Sequence, residues 1–265
     1  MALFDNVLKL QHYVSHTLNR KFDMKNLINQ IPVSCSQTRS DAPRLPLPPP
    51  LPGKHGWPWK TELPVLFETA GSDHPWPRVS IVTPSFNQGA FIEETIRSVL
   101  QQSYPHIEYI IIDGGSSDGT VEIIRKYEHR LAFWTSEPDE GQADALRRGF
   151  ARARGEILAY LNADDVYTPR AVETAVSTFR NDPDLALVHG DSAIINASGA
   201  KIGHKRGGEG AYLPYFLHMV NPISQPSAFW RRADYEAIGG VDSQLHYIVD
   251  YDLWSRMGLT GKKIR

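Results

Sequence analysis

The segment that decides the fold reads EILAYLNADD and occupies residues 156–165. Its first six residues have the length and apolar bulk of an interior strand in a parallel sheet. Asp164 and Asp165 follow that strand, at the edge where parallel α/β sheets bind ligands. Adjacent carboxylates need a cation, hydrogen bonds or water to offset their repulsion, and their oxygens suit Mg²⁺ or Mn²⁺ held with a phosphate. A helix N-cap or a solvated turn is the alternative explanation, because Asp is common in both.

Strand and helix patterns alternate on both sides of this segment. We predict strands over residues 78–83, 107–112, 131–135 and 156–161. Each is followed by apolar residues at helical spacing, and the helix after the last begins with Thr168 as N-cap and Pro169 at its first position. This alternation predicts an α/β fold, a Rossmann-like and mostly parallel sheet with helices on both faces. After residues 185–188 the alternation stops, and the pattern predicts a hairpin at 194–202 and a last helix around 250–257.

Composition narrows the class of protein. A chain of 265 residues can bury a sizeable core and form one or two domains. The net charge of -2 gives no electrostatic reason to expect nucleic-acid binding. Cys35 is the only cysteine, which excludes an intrachain disulfide and fits a reducing compartment. Residues 1–7 lack a secretory signal, and no segment has the roughly 20 apolar residues of a membrane span, so we expect a cytoplasmic protein.

The chain divides into three predicted segments. Residues 1–41 form a helical segment whose apolar face we expect to dock on the domain, with contact at a membrane surface or another chain as the alternative. Residues 42–77 are rich in Pro and Trp, and we expect a linker or strap that is pinned to the surface by Trp57, Trp59 and Trp76, with a docking site for proline-recognising modules as the weaker alternative. Residues 78–265 form the α/β domain.

Three loops directly follow predicted strands and should therefore meet at one edge of the sheet. They are residues 84–89, 113–119 and 162–165. None has the glycine spacing of a dinucleotide site or the Gly-Lys-Ser/Thr ending of a P-loop. Asp113 instead stands at a strand end, where its carboxylate could accept a hydrogen bond from a base ring nitrogen while the glycines after it let the backbone approach closely. Ordinary turn chemistry explains the same residues equally well.

Five motifs occur in a fixed order along the α/β segment. They are VSIVTPSFN at 79–87, IDGGSSDGT at 112–120, EPDEGQ at 137–142, LNADD at 161–165 and VDYDLW at 249–254. Together they resemble the motifs of family 2 glycosyltransferases, which have the GT-A fold. The resemblance covers residues 78–265 and leaves the preceding segment without support.

The resemblance implies roles for single positions. The residues implied to contact the nucleotide or the rest of the donor are Pro84, Phe86, Asn87, Asp113, Asp139, Gln142 and Asp164. Among these, Asp113 is the implied acid for the base, which is usually uracil. Asp165 is the implied ligand of Mn²⁺ or Mg²⁺, and Asp250 the implied general base. Asn162 stands where many members carry an Asp, and Val249 where the first acid of the Glu/Asp-Asp motif often stands, so one supporting charge is absent from its usual place.

The resemblance implies an inverting, metal-dependent transfer of a sugar from a nucleotide diphosphate sugar, with UDP favoured, to a hydroxyl of a saccharide or glycolipid acceptor. The expected setting is polysaccharide or cell-envelope glycan synthesis, with peripheral contact at the inner face of the membrane. A cation would offset charge on the leaving nucleoside diphosphate, and an aspartate would take the hydroxyl proton. Asp252 is a rival for that base, but the family motif and the helical face both select Asp250.

Two other functions stay open at this point. One is a nucleotide-sugar binding protein without turnover, and the other is a sugar nucleotidyltransferase on a related fold. The Gly-rich, basic first loop of such nucleotidyltransferases is not seen after Val82. Related glycosyltransferases often carry a further segment that closes over the diphosphate, which we expect after Arg265 or from elsewhere. The motifs specify neither the donor sugar, the linkage nor the oligomeric state.

Overall fold

The computed structural model of the protein describes residues 46–59, 76–208, 218, 220–245 and 247–265. The predicted helical segment, residues 1–41, lies outside these ranges, as do residues 42–45 and 60–75 of the predicted strap. The division of the chain into three segments therefore stays a prediction. Within the ranges just given, the helices are all too short or too polar to cross a membrane.

The described residues form nine strands and six α-helices. The strands are β1 (Val79–Ser85), β2 (Ile107–Asp113), β3 (Phe133–Ser136), β4 (Ile157–Tyr160), β5 (Leu185–Val188), β6 (Ser192–Ile195), β7 (Lys201–Lys205), β8 (Phe229–Arg231) and β9 (Lys263–Ile264). The helices are α1 (Ile92–Leu100), α2 (Thr120–Tyr127), α3 (Gln142–Phe150), α4 (Ala171–Asn181), α5 (Arg232–Ala237) and α6 (Val249–Leu259). The predicted alternation of strand and helix is thus confirmed from β1 to β5.

Seven strands form one sheet in the order β3-β2-β1-β4-β8-β5-β9. β1 pairs in parallel with β2 and β4, and β2 pairs in parallel with β3, with Ser85 opposite Asp113. The short strand β8 runs antiparallel to both β4 and β5, whereas β9 is parallel to β5. The sheet is therefore mostly parallel, as predicted. The predicted hairpin is also present, since β6 and β7 pair antiparallel in a separate small sheet.

Helices cover both faces of the sheet because its inner strands are apolar on both sides. In β2, Tyr109 and Ile111 belong to the core that packs on α1, α2 and α4. Ile110 and Ile112 belong to the opposite core, which packs on α3, α5 and α6. Side chains alternate between the two faces of a strand, so a continuous apolar run fills both cores. Each fully buried Ile contributes about 1.5–3 kcal/mol relative to an exposed one.

The start predicted for the helix after β4 is wrong. The helix begins at Ala171, with Arg170 before it in the left-handed region at φ 64, and Thr168 makes no N-cap. The reason is a long-range contact, because the Gln102 side-chain oxygen accepts the Val172 N–H at 3.3 Å. The same Gln102 amide donates to the Thr168 carbonyl at 3.0 Å. A side chain from another element thus satisfies the N–H that a local cap would have bonded.

The described part of the strap lies against α1. The Arg97 guanidinium is buried and donates to the carbonyls of Pro48 at 2.9 Å and Trp59 at 3.3 Å. It also lies 5.1 Å from the centroid of the Trp59 ring, and this ring is buried. The Trp57 indole N–H donates to the Tyr167 carbonyl at 2.6 Å. Both tryptophans therefore hold residues 46–59 on the domain in the manner that the sequence predicts.

Candidate active site

The three predicted loops meet at the carboxyl ends of the parallel strands. The Gly114 N–H donates to the Ser85 carbonyl at 2.8 Å, which joins the loop after β2 to the end of β1. The Asn87 side-chain oxygen accepts the Ser117 N–H at 3.0 Å, and the Ser116 hydroxyl accepts the Asn87 N–H at 2.7 Å. These bonds hold the first two loops together as one wall of a cleft.

The cleft has a volume of about 510 Å³. Five of the residues predicted to contact the donor line it, namely Pro84, Phe86, Asp139, Gln142 and Asp164. Phe86 is 60% exposed there, although an aromatic ring of this size is normally covered. Asn87 and Asp113 do not line the cleft, and their side chains bond within its wall instead. An exposed aromatic beside polar groups in a concave site is typical of ligand binding.

The Asp113 carboxylate is fully buried and faces its own loop. It accepts the N–H groups of Gly115 at 3.2 Å and Ser116 at 2.9 Å, and the hydroxyls of Ser116 at 2.5 Å and Ser136 at 2.7 Å. Four donors match the acceptor capacity of one carboxylate. The structure therefore places Asp113 in turn chemistry, one of the two explanations that the sequence left open.

Asp164 and Asp165 occupy a tight turn directly after β4. The Asp165 N–H donates to the Asn162 carbonyl at 3.1 Å, which closes the turn. The Thr95 hydroxyl on α1 lies 2.8 Å from the Asp165 carbonyl and so ties the turn to the neighbouring helix. Asp164 is exposed in the cleft, whereas Asp165 is half-buried behind it.

Burial and the adjacent Asp164 charge raise the pKa of Asp165 from 3.8 to about 6, and a hydrogen bond with Asn162 acts in the opposite direction. In the described parts of the chain, no Lys or Arg forms an ion pair with Asp164 or Asp165. A half-buried carboxylate with no cationic side chain opposite it fits a divalent cation. The same parts hold no cluster of three or more His, Cys, Asp or Glu side chains that could bind a metal. The donor set thus suits a Mg²⁺ or Mn²⁺ ion that takes its other ligands from phosphate and water.

Asn162 joins three parts of the site through its amide. Its oxygen accepts from the Gln142 side chain at 2.7 Å, and its nitrogen donates to the Gln225 side chain at 3.3 Å. Gln225 in turn donates to the Tyr160 carbonyl at 2.8 Å. An aspartate at position 162 could accept from Gln142 but could not donate to Gln225. This network gives Asn162 a bridging role that an acid would not fill, and Gln225 is a site residue that the motifs missed.

Asp250 lies in the first turn of α6 and is half-buried. The Asn221 side chain donates to its Oδ2 at 2.7 Å, so Asn221 is a second residue that the motifs missed. Burial, and then the negative charges of Asp250 and Asp165, raise the pKa of the Tyr160 phenol well above its ordinary value. Asn221 stands four residues before Gln225, which bonds to Asn162, so residues 221–225 connect the helix that carries Asp250 to the turn that carries Asp165.

Asp252 faces the core instead. It is 2% exposed and accepts the Arg256 Nε–H at 3.0 Å. The same guanidinium donates to the carbonyls of Ile238 at 2.8 Å and Gly240 at 2.7 Å. Because Asp252 is buried in an ion pair with Arg256, whereas Asp250 is only half-buried and bonds to a neutral amide, the structure favours Asp250 over Asp252 as the group that could take a proton from a ligand.

Comparison with protein families and curated proteins gives consistent matches. The family model described as Glycosyl transferase family 2 matches residues 80–235. The uncharacterized glycosyltransferase Rv1514c of Mycobacterium tuberculosis is 42% identical over 185 residues, which cover 69% of this chain and 70% of that protein. Chondroitin synthase of Pasteurella multocida is 28% identical over 194 residues, 71% of this chain but 20% of the synthase. This chain therefore spans only a fraction of the larger relative.

Solved structures share the architecture at low sequence identity. The mannosyltransferase PcManGT from Pyrobaculum calidifontis, in complex with GDP-Man and Mn²⁺, matches with a TM-score of 0.53 and 18% identity over 99% of this chain and 65% of that one. Residues 1-349 of S. aureus TarS, in complex with UDP, match with a TM-score of 0.54 and 17% identity over 71% of this chain and 56% of that one. The fold of the described domain is accordingly the GT-A fold.

Proposed function

Because this chain belongs to glycosyl transferase family 2, we propose that it transfers a sugar from a UDP-sugar to a hydroxyl of a saccharide or glycolipid, with inversion at the anomeric carbon. The observation that carries the proposal is the arrangement around the cleft. Asp164 and Asp165 stand in the turn after β4, where Asp164 lines the cleft. Residues 221–225 connect this turn to Asp250, because Gln225 bonds to Asn162 at 3.3 Å and Asn221 bonds to Asp250 at 2.7 Å. A donor diphosphate and an acceptor hydroxyl need carboxylates in two such places.

Asp165, with Asp164 beside it, would hold the Mn²⁺ or Mg²⁺ ion. Such an ion neutralises charge on a leaving nucleoside diphosphate when it is bound. The mannosyltransferase neighbour was solved with Mn²⁺ and the TarS neighbour with UDP, which supports both parts of the proposal for a related fold. Gln142 and Asn162 supply amide groups at the same cleft, where they can bond to hydroxyls or phosphate oxygens of the donor.

The Asp250 carboxylate is the base in this proposal. It takes the proton from the acceptor hydroxyl while that oxygen bonds to the anomeric carbon. The bond between this carbon and the diphosphate oxygen breaks in the same step, and the electron pair leaves with UDP. Attack from the side opposite the leaving group inverts the anomeric centre without a covalent intermediate. Asn221 keeps one oxygen of Asp250 occupied at 2.7 Å and leaves the other for the proton.

Calorimetric titration of UDP, GDP and dTDP with and without Mn²⁺ tests the donor site without an acceptor. We expect binding of UDP that depends on Mn²⁺, and we expect Asp165→Ala to abolish it. No binding of any of these nucleotides would contradict the proposed function. GDP binding in preference to UDP would contradict the choice of base, although the mannosyltransferase neighbour shows that the fold accommodates it in another protein.

Release of UDP from UDP-sugars, measured with a panel of saccharide acceptors, tests the transfer. Asp250→Asn should retain UDP binding and lose transfer, because the amide has nearly the same shape but cannot take the proton. Asp184→Asn, in the exposed turn between α4 and β5, makes the same chemical change away from the cleft and serves as the control that should leave both unchanged. Normal turnover by Asp250→Asn would show that the base is another group. UDP binding by the wild type without transfer to any acceptor would indicate a nucleotide-sugar binding protein.

A further inference from the structure

The loop after β2 presents a glycine, and no side chain, to the cleft. Gly114 lines the cleft directly beside the buried Asp113, whose carboxylate is occupied by its own loop. The Gly114 N–H is also used, since it donates to the Ser85 carbonyl at 2.8 Å. A ligand at this end of the cleft therefore contacts the backbone of the loop after β2. A side chain that recognises this ligand must come from the loop after a neighbouring strand.

Asp139, in the loop after β3, fills the space that a side chain at position 114 would need. A Cβ atom built on Gly114 would lie 3.0 Å from Asp139 Oδ2 and 3.1 Å from its Oδ1. The Asp139 carboxylate thus lies flat against the glycine and lines the same cleft. A Cβ at position 114 would be in tight contact with the carboxylate, which would have to shift by a few tenths of an ångström, so glycine favours this close approach.

The Asp139 carboxylate has acceptor capacity to spare. Its Oδ1 accepts the Gly141 N–H at 2.8 Å, and no other described residue donates a hydrogen bond to this side chain. Burial is the main cause that raises its pKa, and the charges of Arg148, Asp144 and Asp113 also act on it. A partly buried acceptor that lacks donors favours a ligand that brings one.

The order of the strands places Asp139 and the acidic turn at opposite ends of the cleft. β3 and β4 are separated in the sheet by β2 and β1. Three strand spacings of about 4.8 Å give roughly 14 Å between the loops that follow β3 and β4. A nucleoside diphosphate laid across the strand ends, with its diphosphate at Asp164 and Asp165, brings its base to Asp139. The exposed ring of Phe86, at the end of β1 between them, offers an aromatic face along the way.

We propose, on the basis of the proposed function, that Asp139 selects the nucleobase of the donor by accepting its ring N–H. Uracil carries such an N–H on its pairing edge, whereas cytosine has an unprotonated ring nitrogen at the equivalent place. A carboxylate therefore gains a charge-assisted hydrogen bond with uracil, and with cytosine it faces a second lone pair. Asp139 in this assignment takes the role that the family resemblance implies for Asp113.

Titration of UDP and CDP in the presence of Mn²⁺ tests this assignment. The wild type should bind UDP at least about tenfold more tightly than CDP, because a hydrogen bond to a charged group has this magnitude. Asp139→Ala should bring the ratio of the two affinities close to one. Asp139→Asn should also reduce the ratio, since its amide can turn to donate to the cytosine nitrogen. Glu140→Gln, an exposed neighbour that does not line the cleft, is the matched control and should keep the wild-type ratio.

The outcomes separate this assignment from the proposed function. Binding of UDP by the wild type with an unchanged UDP to CDP ratio in Asp139→Ala would overturn the assignment and leave the donor site intact. Equal affinities of the wild type for UDP and CDP would overturn it as well. Failure of the wild type to bind either nucleotide would overturn the proposed function and the assignment together. Circular dichroism of each variant verifies that a lost preference is not caused by unfolding.

Discussion

Replacing Asp165 by Asn should stabilise the metal-free protein at neutral pH while it removes metal-dependent nucleotide binding. The reason is that the folded protein holds the Asp165 carboxylate half-buried beside Asp164, which raises its pKa to about 6. The other titratable groups on which its charge acts are Tyr160 and Tyr167. An amide at position 165 carries no charge and so avoids this repulsion, but it is a poor ligand for Mn²⁺.

The sign and the magnitude of this change in stability follow from the difference between the pKa values of the Asp165 carboxyl in the folded and the unfolded protein. The unfolded chain titrates near 3.8, so between that value and about 6 the folded protein holds a proton that the unfolded chain has released. The stabilisation from this group is complete below about pH 4 and is lost as the pH rises through about 6. The difference of roughly two pKa units corresponds to about 3 kcal/mol at 1.36 kcal/mol per unit. The free energy of unfolding of Asp165→Asn should therefore exceed that of the wild type by up to about 3 kcal/mol at pH 8, and the two should be equal near pH 4.

Urea unfolding with EDTA, at several pH values between about 4 and 8, measures this difference. Asp184→Asn, in the exposed turn between α4 and β5, is the control, because an exposed carboxylate away from Asp165 should change the free energy of unfolding by only about 0.5 kcal/mol or less. Adding Mn²⁺ with UDP at pH 8 should then stabilise the wild type and leave Asp165→Asn unchanged, since a ligand stabilises only the state that binds it. Equal stability of Asp165→Asn and the wild type at pH 8, or a difference that does not vary with pH, would refute the reasoning.

Three further substitutions probe the core and the base. Asp252→Asn should lower the free energy of unfolding in urea by about 3–5 kcal/mol, because it leaves the Arg256 charge buried without its partner; a smaller change would show that water reaches the pair. Gly149→Ala should lower the free energy of unfolding by about 1–3 kcal/mol in the same assay. Its Cβ would lie 2.4 Å from a Val82 methyl, and the higher helix propensity of Ala offsets only about 1 kcal/mol of the resulting strain. Asn221→Ala should leave donor KM unchanged and lower kcat by about tenfold, the magnitude of one hydrogen bond to a charged group; a change confined to KM would place Asn221 in donor binding.

The parallel part of the fold could be predicted because each strand there is a continuous apolar run. The strand predicted over residues 107–112 is observed as Ile107–Asp113, and its residues fill both cores. The antiparallel strand β8 could not be predicted, since three residues, Phe229–Arg231, carry no periodicity of their own. Its position is set by pairing with β4 and β5 on either side. The sequence pattern therefore predicts the strands that have an apolar run of their own, but it does not predict a strand that forms only by pairing with the strands beside it.

The candidate site likewise contains residues that the sequence pattern predicts and residues that only the folded chain brings together. Asp164 and Asp165 could be predicted because they follow a strand directly, and in a parallel sheet that position alone brings them to the ligand edge. Asn221 lies 29 residues from the aspartate that it contacts, and Gln225 lies 63 residues from Asn162. Neither separation corresponds to a helical or strand period, so only the folded chain brings these partners together. The turn role of Asp113 was undecided for a related reason, since Ser136, one of its donors, comes from another strand.

The surroundings of Val249 disfavour a carboxylate at the position where the Glu/Asp-Asp motif often has its first acid. Val249 is 3% exposed and packs in the core beneath α6, so a carboxylate in its place would be buried among apolar side chains. A valine at that position stabilises the start of the helix, but it can neither orient nor hydrogen-bond Asp250. Asn221 does so from a different segment, and its own oxygen accepts the Ile223 N–H at 3.2 Å, which fixes the direction of the amide. If Asp250 is the base, as proposed, a neutral donor orients it without adding a second negative charge beside it, and a hydrogen bond takes the place of the charge missing from the motif.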